Sequence, residues 1–146
     1  MIKVLGHWEI GYMTPIMEAH HWNLILREFA IKDWLMSPVT GIKHLEESRV
    51  NLIEFHSFDD ALENEKLPRV FLEPRTSHHN PETTWLHDFV HPEECIYIFG
   101  SAHFNPSLGR LKEQDHVVSI KTIIDNGVPW AYQCLFVVLY DRMMKS

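Results

Sequence analysis

Cys95-Ile-Tyr-Ile-Phe-Gly-Ser101 is the stretch on which the fold turns. Five consecutive uncharged, largely apolar residues suit a strand covered on both faces, as in a parallel sheet, and Gly100 ends it. Such a strand needs neighbours, and the flanking sequence supplies them. Met1 to Gly6, Ile31 to Met36, Val50 to Phe55 and Arg69 to Leu72 read as strands before it, and Val117 to Ile120 as a sixth after it. Ser37-Pro38 stops the second and Pro74 closes the fourth.

Helical signals fall between these runs. Thr14 and Pro15 offer an N-cap and a first-turn proline, and Ile16, Trp22, Ile25, Leu26 and Phe29 recur at helical spacing up to Ala30. Gly41 to Ser48 suits one or two helical turns, and Ser57 with Asp60 resembles a cap before a short acidic helix to Lys66. A helical turn is expected around Thr83 to Phe89, and a last helix from Val128 to Met144 with Pro129 in its first turn. Strands alternating with helices predict an α/β domain, a mainly parallel six-stranded sheet flanked by helices, formed by residues 1–146 as one domain.

Composition narrows the function classes. The 146 residues carry 13 Lys+Arg against 20 Asp+Glu, a formal charge of −7 with the 11 His neutral, so no basic stripe runs along the chain as in a generic nucleic-acid binder. A local basic face is still compatible with that balance. The longest apolar run, Cys134 to Tyr140, is far short of a membrane span, and no secretion signal is apparent at the start. Cys95 and Cys134 make no disulfide framework, which suits a reducing, cytoplasmic setting. There is no GxGxxG and no Walker loop.

In an open parallel sheet, ligands bind beyond the carboxyl ends of the strands. Those ends are Leu72-Glu73-Pro74, Phe99-Gly100-Ser101 and Ile120-Lys121-Thr122. A glycine directly after a buried strand allows a ligand to approach the backbone closely. Elsewhere the chemistry is thinner. His87 and His91 are one helical turn apart, but they lack the Glu of HExxH, so with His78 and His79 they read as solvated loop histidines. Asp59, Asp60, Glu63 and Glu65 read as a solvated helix face, and Trp22 and Trp130 as packing rather than base-stacking residues.

Phe99-Gly100-Ser101, the sixth strand ending at Ile120, and the last helix reading Val128-Pro-Trp-Ala-Tyr-Gln-Cys-Leu-Phe-Val-Val-Leu-Tyr-Asp141 together resemble the SPOUT (trefoil-knotted) RNA methyltransferases. The family's strand ends in FGPE or FGSE, and His21-Trp-Asn-Leu-Ile-Leu-Arg27 resembles its N-x-G-N-hydrophobic-hydrophobic-R helix start, with Asn23 and Arg27 in register. The resemblance spans the chain, and its length suits the small single-domain tRNA 2′-O-methyltransferase branch.

That resemblance implies a C-terminal trefoil knot, a homodimer packed through the first and last helices, and S-adenosylmethionine bent into three loops and held largely by backbone amides. Carried over, the cofactor positions are Leu72, Glu73, Gly100, Ser101, Ile120, Val128, Trp130 and Ala131, and the catalytic ones Arg27, Asn23 and His21. An arginine is too basic to take a proton as it stands, so Arg27 suits a phosphate fork or transition-state stabiliser, while His20, His21 or His103 could accept the proton. The sequence departs from the family at Ala102, Lys121, Val128, Trp130 and His21, each replacing a motif residue. The expectation is an RNA 2′-O-methyltransferase acting on tRNA. The competing readings are a catalytically impaired SPOUT-like module binding RNA or protein, and an unrelated α/β ligand-binding protein.

Overall fold

The computed structural model describes residues 1–9, 15–41, 50–75, 83–101, 103–123 and 131–146. Seven strands form one sheet: β1 (Ile2–His7), β2 (Asp33–Ser37), β3 (Asn51–Glu54), β4 (Arg69–Leu72), β5 (Thr84–Trp85), β6 (Cys95–Phe99) and β7 (His116–Ser119). Their order is β3-β2-β1-β6-β4-β7-β5, and every pairing is parallel. The expected sheet is thus present with one strand more. The extra strand is Thr84–Trp85, where a helical turn was expected; the helical part shrinks to a 3-10 turn at Leu86–Asp88.

The central strand is β6, between β1 and β4, and all five of its residues are buried. Successive strand residues point to opposite faces. Val4, Trp34, Met36, Val70, Tyr97 and Phe99 pack on one side, against Trp22 and Leu26 of α1 (Pro15–Glu28) and Leu135, Val138 and Leu139 of α3 (Ala131–Lys145). Leu5, Leu35, Phe71, Ile96 and Ile98 pack on the other, against Phe58, Ala61 and Leu62 of α2 (Phe58–Glu63). Each such large side chain removed from water stabilises the fold by about 1.5–3 kcal/mol before entropy is counted.

Local chemistry explains the element ends. Ser57 Oγ accepts the Asp60 N–H at 3.1 Å and caps α2, as the sequence predicts. Ala30, at φ 55°, closes α1: its N–H reaches Arg27 O at 3.1 Å and the Ile31 N–H reaches Leu26 O at 2.9 Å, the paired bonds of a Schellman ending. Gly6 does not end β1, which continues to His7. A Cβ on Gly6 would stand 2.7 Å from Met36 Sδ and 2.9 Å from Trp22 Cη2, so a glycine there lets Trp22 lie close on the strand and stack on Trp34 at 5.6 Å. The turns expected from Gly41 to Ser48 lie, Gly41 apart, outside the described residues, as do Thr14, Val128 and Pro129.

Candidate active site

Because β6, β4 and β7 are neighbours, their carboxyl ends emerge side by side and bring Gly100-Ser101, Leu72-Glu73 and Ile120 to one edge. Leu72 is buried in the core, and Ile120 and Ala131 pack against it. The space beside Gly100 belongs to the chain itself. A Cβ there would stand 2.2 Å from the Phe104 carbonyl and 2.7 Å from Pro106 Cδ, so the glycine is required by its own turn rather than kept open for a ligand. In that turn the Ser101 N–H reaches Phe104 O and the Phe104 N–H reaches Ser101 O, both at 3.2 Å.

Glu73 is likewise engaged. Its buried carboxylate accepts the Ser107 N–H at 2.7 Å and hydroxyl at 2.6 Å, its N–H reaches Val118 O, and its carbonyl accepts Ser119 Oγ at 2.5 Å. The N–H groups of Glu73 and Ser101 therefore already have partners within the chain.

The titratable groups of this edge come from β1, α1 and the turn after β6. His7, the last residue of β1, lies 2.8 Å through Nδ1 from Ser101 Oγ and stacks on Phe104 at 4.0 Å with rings 10° apart. Its burial pushes the imidazole pKa down, opposed by Glu9 and reinforced by Arg110. Glu9 contacts His103 twice, receiving its ring Nδ1 on Oε1 and its backbone N–H on Oε2 at 3.3 Å. Hydrogen bonds from His103 and then Ser101 hold the Glu9 carboxyl below the usual range. Glu18, in the first turn of α1, is pushed up by burial and by the charge of Glu9.

Of the residues expected to be catalytic, His21 stacks on Tyr132 at 4.9 Å, near the start of α3, and Asn23 is buried on the packed face of α1. Arg27 is exposed in the last turn of α1. That helix starts at the carboxyl side of the sheet and returns the chain to the amino end of β2, and its 14 residues span about 20 Å. Within one chain, Arg27 is not brought to Gly100 and Ser101. Trp130 and Val128 lie outside the described residues, as do Ala102, His78 and His79.

Beside the strand exits, Trp85 is flanked by Arg75 Cζ at 4.7 Å and Lys121 Nζ at 5.7 Å from its ring centre, a small basic spot in an acidic protein. Two other expectations are corrected. His91 is not a solvated loop histidine: it is buried, 2.7 Å from the Tyr97 hydroxyl and 2.8 Å from Asp141. Glu65 is not part of a solvated face; its side chain is buried and paired with Lys3 at 3.2 Å. No group of three or more metal-ligating side chains forms among the described residues, and no helix among them is long and apolar enough to cross a membrane. A groove of roughly 370 Å³ opens at the opposite, amino end of the sheet, between Pro68, Pro92, Lys112 and His116.

The arrangement can be tested against S-adenosylmethionine, the cofactor that the resemblance implies. Its sulfonium and ammonium charges suit the carboxylates of Glu9 and Glu18, and the Trp8 indole N–H, buried at the end of β1, is a donor with no partner among the described residues. The donor set therefore fits the cofactor in charge. The amides of Glu73 and Ser101 are excluded from its recognition.

This all-parallel order, with the late strand β6 at its centre, is a fold that the chain shares with several solved structures. Solved structures carry that likeness. A TrmH-family protein from Porphyromonas gingivalis matches with TM-score 0.70 and 12% identity over 99% of this chain and 60% of its own. A methylase-family protein from Haemophilus influenzae Rd KW20 matches with TM-score 0.68 and 12% identity, over 98% of this chain and 65% of its own. This chain thus spans less than two thirds of either. A structure concerned with 2-OH methylation of C/U34 on tRNA matches with TM-score 0.65 and 14% identity, over 99% of this chain and 89% of its own. The sequence matches no protein-family model and no curated protein.

Proposed function

We propose that this protein is an S-adenosylmethionine-dependent RNA methyltransferase that modifies a ribose 2′-hydroxyl, with tRNA as its substrate. The observation that carries the reading is the whole-chain likeness in fold to RNA-methylating proteins, with the three strand exits converging where a cofactor would sit. On this reading residues 1–146 act as one cytoplasmic domain whose C-terminal segment forms the trefoil knot. Leu72, Ile120, Val128, Trp130 and Ala131 line the cofactor, Gly100, Ser101 and Glu73 shape the loops, and the adenine amides come from the segment after β7. When bound, the cofactor supplies a methyl group on a sulfur that leaves as a neutral thioether.

A homodimer through α1 and α3 is part of the proposal. Ile16, Met17 and Leu24 of α1 and Phe136, Val137 and Tyr140 of α3 are exposed large apolar residues, more than one helix pair leaves uncovered without reason. Such pairing also gives Arg27 a use, because an arginine remote from its own Ser101 can face the partner copy's site. There it would fork onto the acceptor phosphate, with Asn23 holding the helix and His21 setting the start of α3. Trp85, Arg75 and Lys121 would then meet the RNA, through a base stacked on the indole and phosphates on the cations.

Calorimetric titration with S-adenosylmethionine and S-adenosylhomocysteine, followed by tritiated methyl incorporation into unmodified tRNA, tests the reading. Binding of both and incorporation that falls on the order of 10²-fold in Arg27→Ala, with cofactor affinity unchanged, is the expected result. Arg27→Lys should restore little, since a point charge does not reproduce a two-pronged phosphate contact. Cofactor binding without incorporation into tRNA or rRNA would favour the second reading, a catalytically impaired RNA- or protein-binding module. That reading is favoured by one observation, the distance of Arg27 from its own strand exits.

A further inference from the structure

The groove at the amino end of the sheet has no part in the chemistry proposed above. The segments leading into β4 and β7 line it, and they run side by side because Val70 pairs with His116. Its volume, roughly 370 Å³, lies within the range of about 300–1,000 Å³ usual for small-molecule sites. Its charged lining is Lys66, Arg69 and Lys112 against Glu65 and Asp115, a positive balance in a chain whose formal charge is −7.

Both carboxylates are balanced before any ligand arrives. Asp115 is joined to the buried Arg69 guanidinium by two hydrogen bonds and accepts the Lys112 N–H at 2.8 Å. Glu65 is paired with Lys3 at 3.2 Å and accepts the Lys66 and Leu67 N–H groups, each at 3.1 Å. The Lys66 and Lys112 side chains differ from these. Both residues are exposed, and neither ammonium has an ion pair or hydrogen bond among the described residues. Each stands three residues before a member of the buried pair, Lys66 before Arg69 and Lys112 before Asp115. That pair, with the Arg69 bond to Arg110 O at 2.8 Å, clamps the two walls together. A ligand between them therefore has little chain to order.

We propose that this groove binds a nucleoside phosphate, either as a free nucleotide or as one unit of an RNA strand. The two uncommitted ammonium groups are point charges suited to a phosphate. Leu67, Pro68 and Pro92 give the same groove apolar surface for a base and sugar, and the volume is larger than a bare phosphate fills. The His116 ring, held against Phe89 at 5.4 Å, and the Gln114 amide add hydrogen-bonding groups to the lining. β4 and β7 are four residues long, about 13 Å at the usual rise of a strand, so a nucleotide bound here is not the one at the strand exits. The site is additional to the methyl-transfer centre and does not depend on that reading.

Amide chemical shifts of the full chain, titrated with adenosine and uridine 5′-monophosphate, with inorganic phosphate and with a short single-stranded RNA, locate and measure the binding. Shifts should concentrate at Lys66, Leu67 and residues 112–116 rather than at Gly100 and Ser101. The Lys66→Gln/Lys112→Gln variant should melt as wild type does and should bind about 10-fold more weakly or worse. Raising salt from about 0.05 M to about 0.3 M should weaken wild-type binding more than the variant's. Saturable binding of the mononucleotides at these residues supports a site for free nucleotides. The same shifts with RNA alone, lost in the variant, support a site for an RNA strand. Inorganic phosphate binding as tightly as the nucleotides would overturn the nucleoside assignment. No shift at these residues with any probe, or binding that the double variant leaves within twofold, would overturn the site altogether. Titration with S-adenosylmethionine tests the methyltransferase reading separately, so either can fail without the other.

Discussion

At the amino end of the sheet, Arg69 and Asp115 are buried and joined by two hydrogen bonds, one of them 3.0 Å long, and Arg69 also reaches Arg110 O at 2.8 Å. Nearby, Arg142 donates to Tyr97 Oη at 3.0 Å, Tyr97 to His91 Nδ1 at 2.7 Å, and His91 Nε2 to Asp141 at 2.8 Å, so one neutral tautomer satisfies the whole chain of donors. At the carboxyl end, the Glu9 carboxylate holds the ring and the backbone N–H of His103, whose side chain is mostly in water, and His7 leans on the hydroxyl of Ser101. The first set ties α3 and the segments before β6 and β7 to the sheet. The second binds loop to loop and keeps titratable groups within reach of solvent. Paired charges shut away from water hold a fold in place, whereas paired charges at a strand exit remain usable by a substrate.

The largest effect expected from this contrast is at the amino end. Asp115→Ala leaves the Arg69 guanidinium buried with its carboxylate partner gone, and should cost about 3–5 kcal/mol in urea unfolding. A loss below about 1 kcal/mol would show that the two ends do not differ in kind. A smaller effect follows from the buried histidines. Burial lowers the His91 pKa below 6.5 despite the opposing hydrogen bond to Asp141, and lowers that of His7 in the same way. The unfolded chain therefore binds more protons than the folded one just below pH 6.5, so stability should fall as pH drops from about 6.5 through the folded values. Urea midpoints measured between pH 7.5 and 5 should show that fall, and His91→Asn should flatten it; an unchanged slope in the variant would remove His91 from the account. The smallest effect belongs to the exposed pair. Glu9→Gln should alter stability by no more than about 0.5 kcal/mol, and a larger loss would make the Glu9–His103 contact a structural tie.

Much of the fold is legible in the sequence because parallel strands are apolar on both faces. Cys95 to Phe99 and Arg69 to Leu72 declare themselves by composition, and Pro15 and Ser57 mark helix starts that the structure has. Thr84–Trp85 is too short for any periodicity to register, and its place at the sheet edge is set by pairing with β7. The candidate site divides along similar lines. Strand exits can be found by counting along the chain, but Glu9 and His103 meet across 94 residues and His91 and Asp141 across 50, and no local pattern announces either pair. The end of α1 on which Arg27 stands depends on where Ala30 closes the helix, which a residue other than glycine at positive φ does not signal.

The strand order also governs how the chain is made. The centre of the sheet pairs Ile2 with Cys95 and Gly6 with Phe99, so β1 lacks one of its two neighbours until Cys95 to Phe99 have been synthesised. At about 5–20 residues per second, that interval lasts many seconds. During it β1 and β2 can pair only with each other and with β3, leaving an open, strongly apolar edge where β6 will insert. Closing so long a loop before its contacts form makes this a slow-folding topology. Until β6 emerges, that open apolar edge is the surface through which the growing chain is most exposed to aggregation.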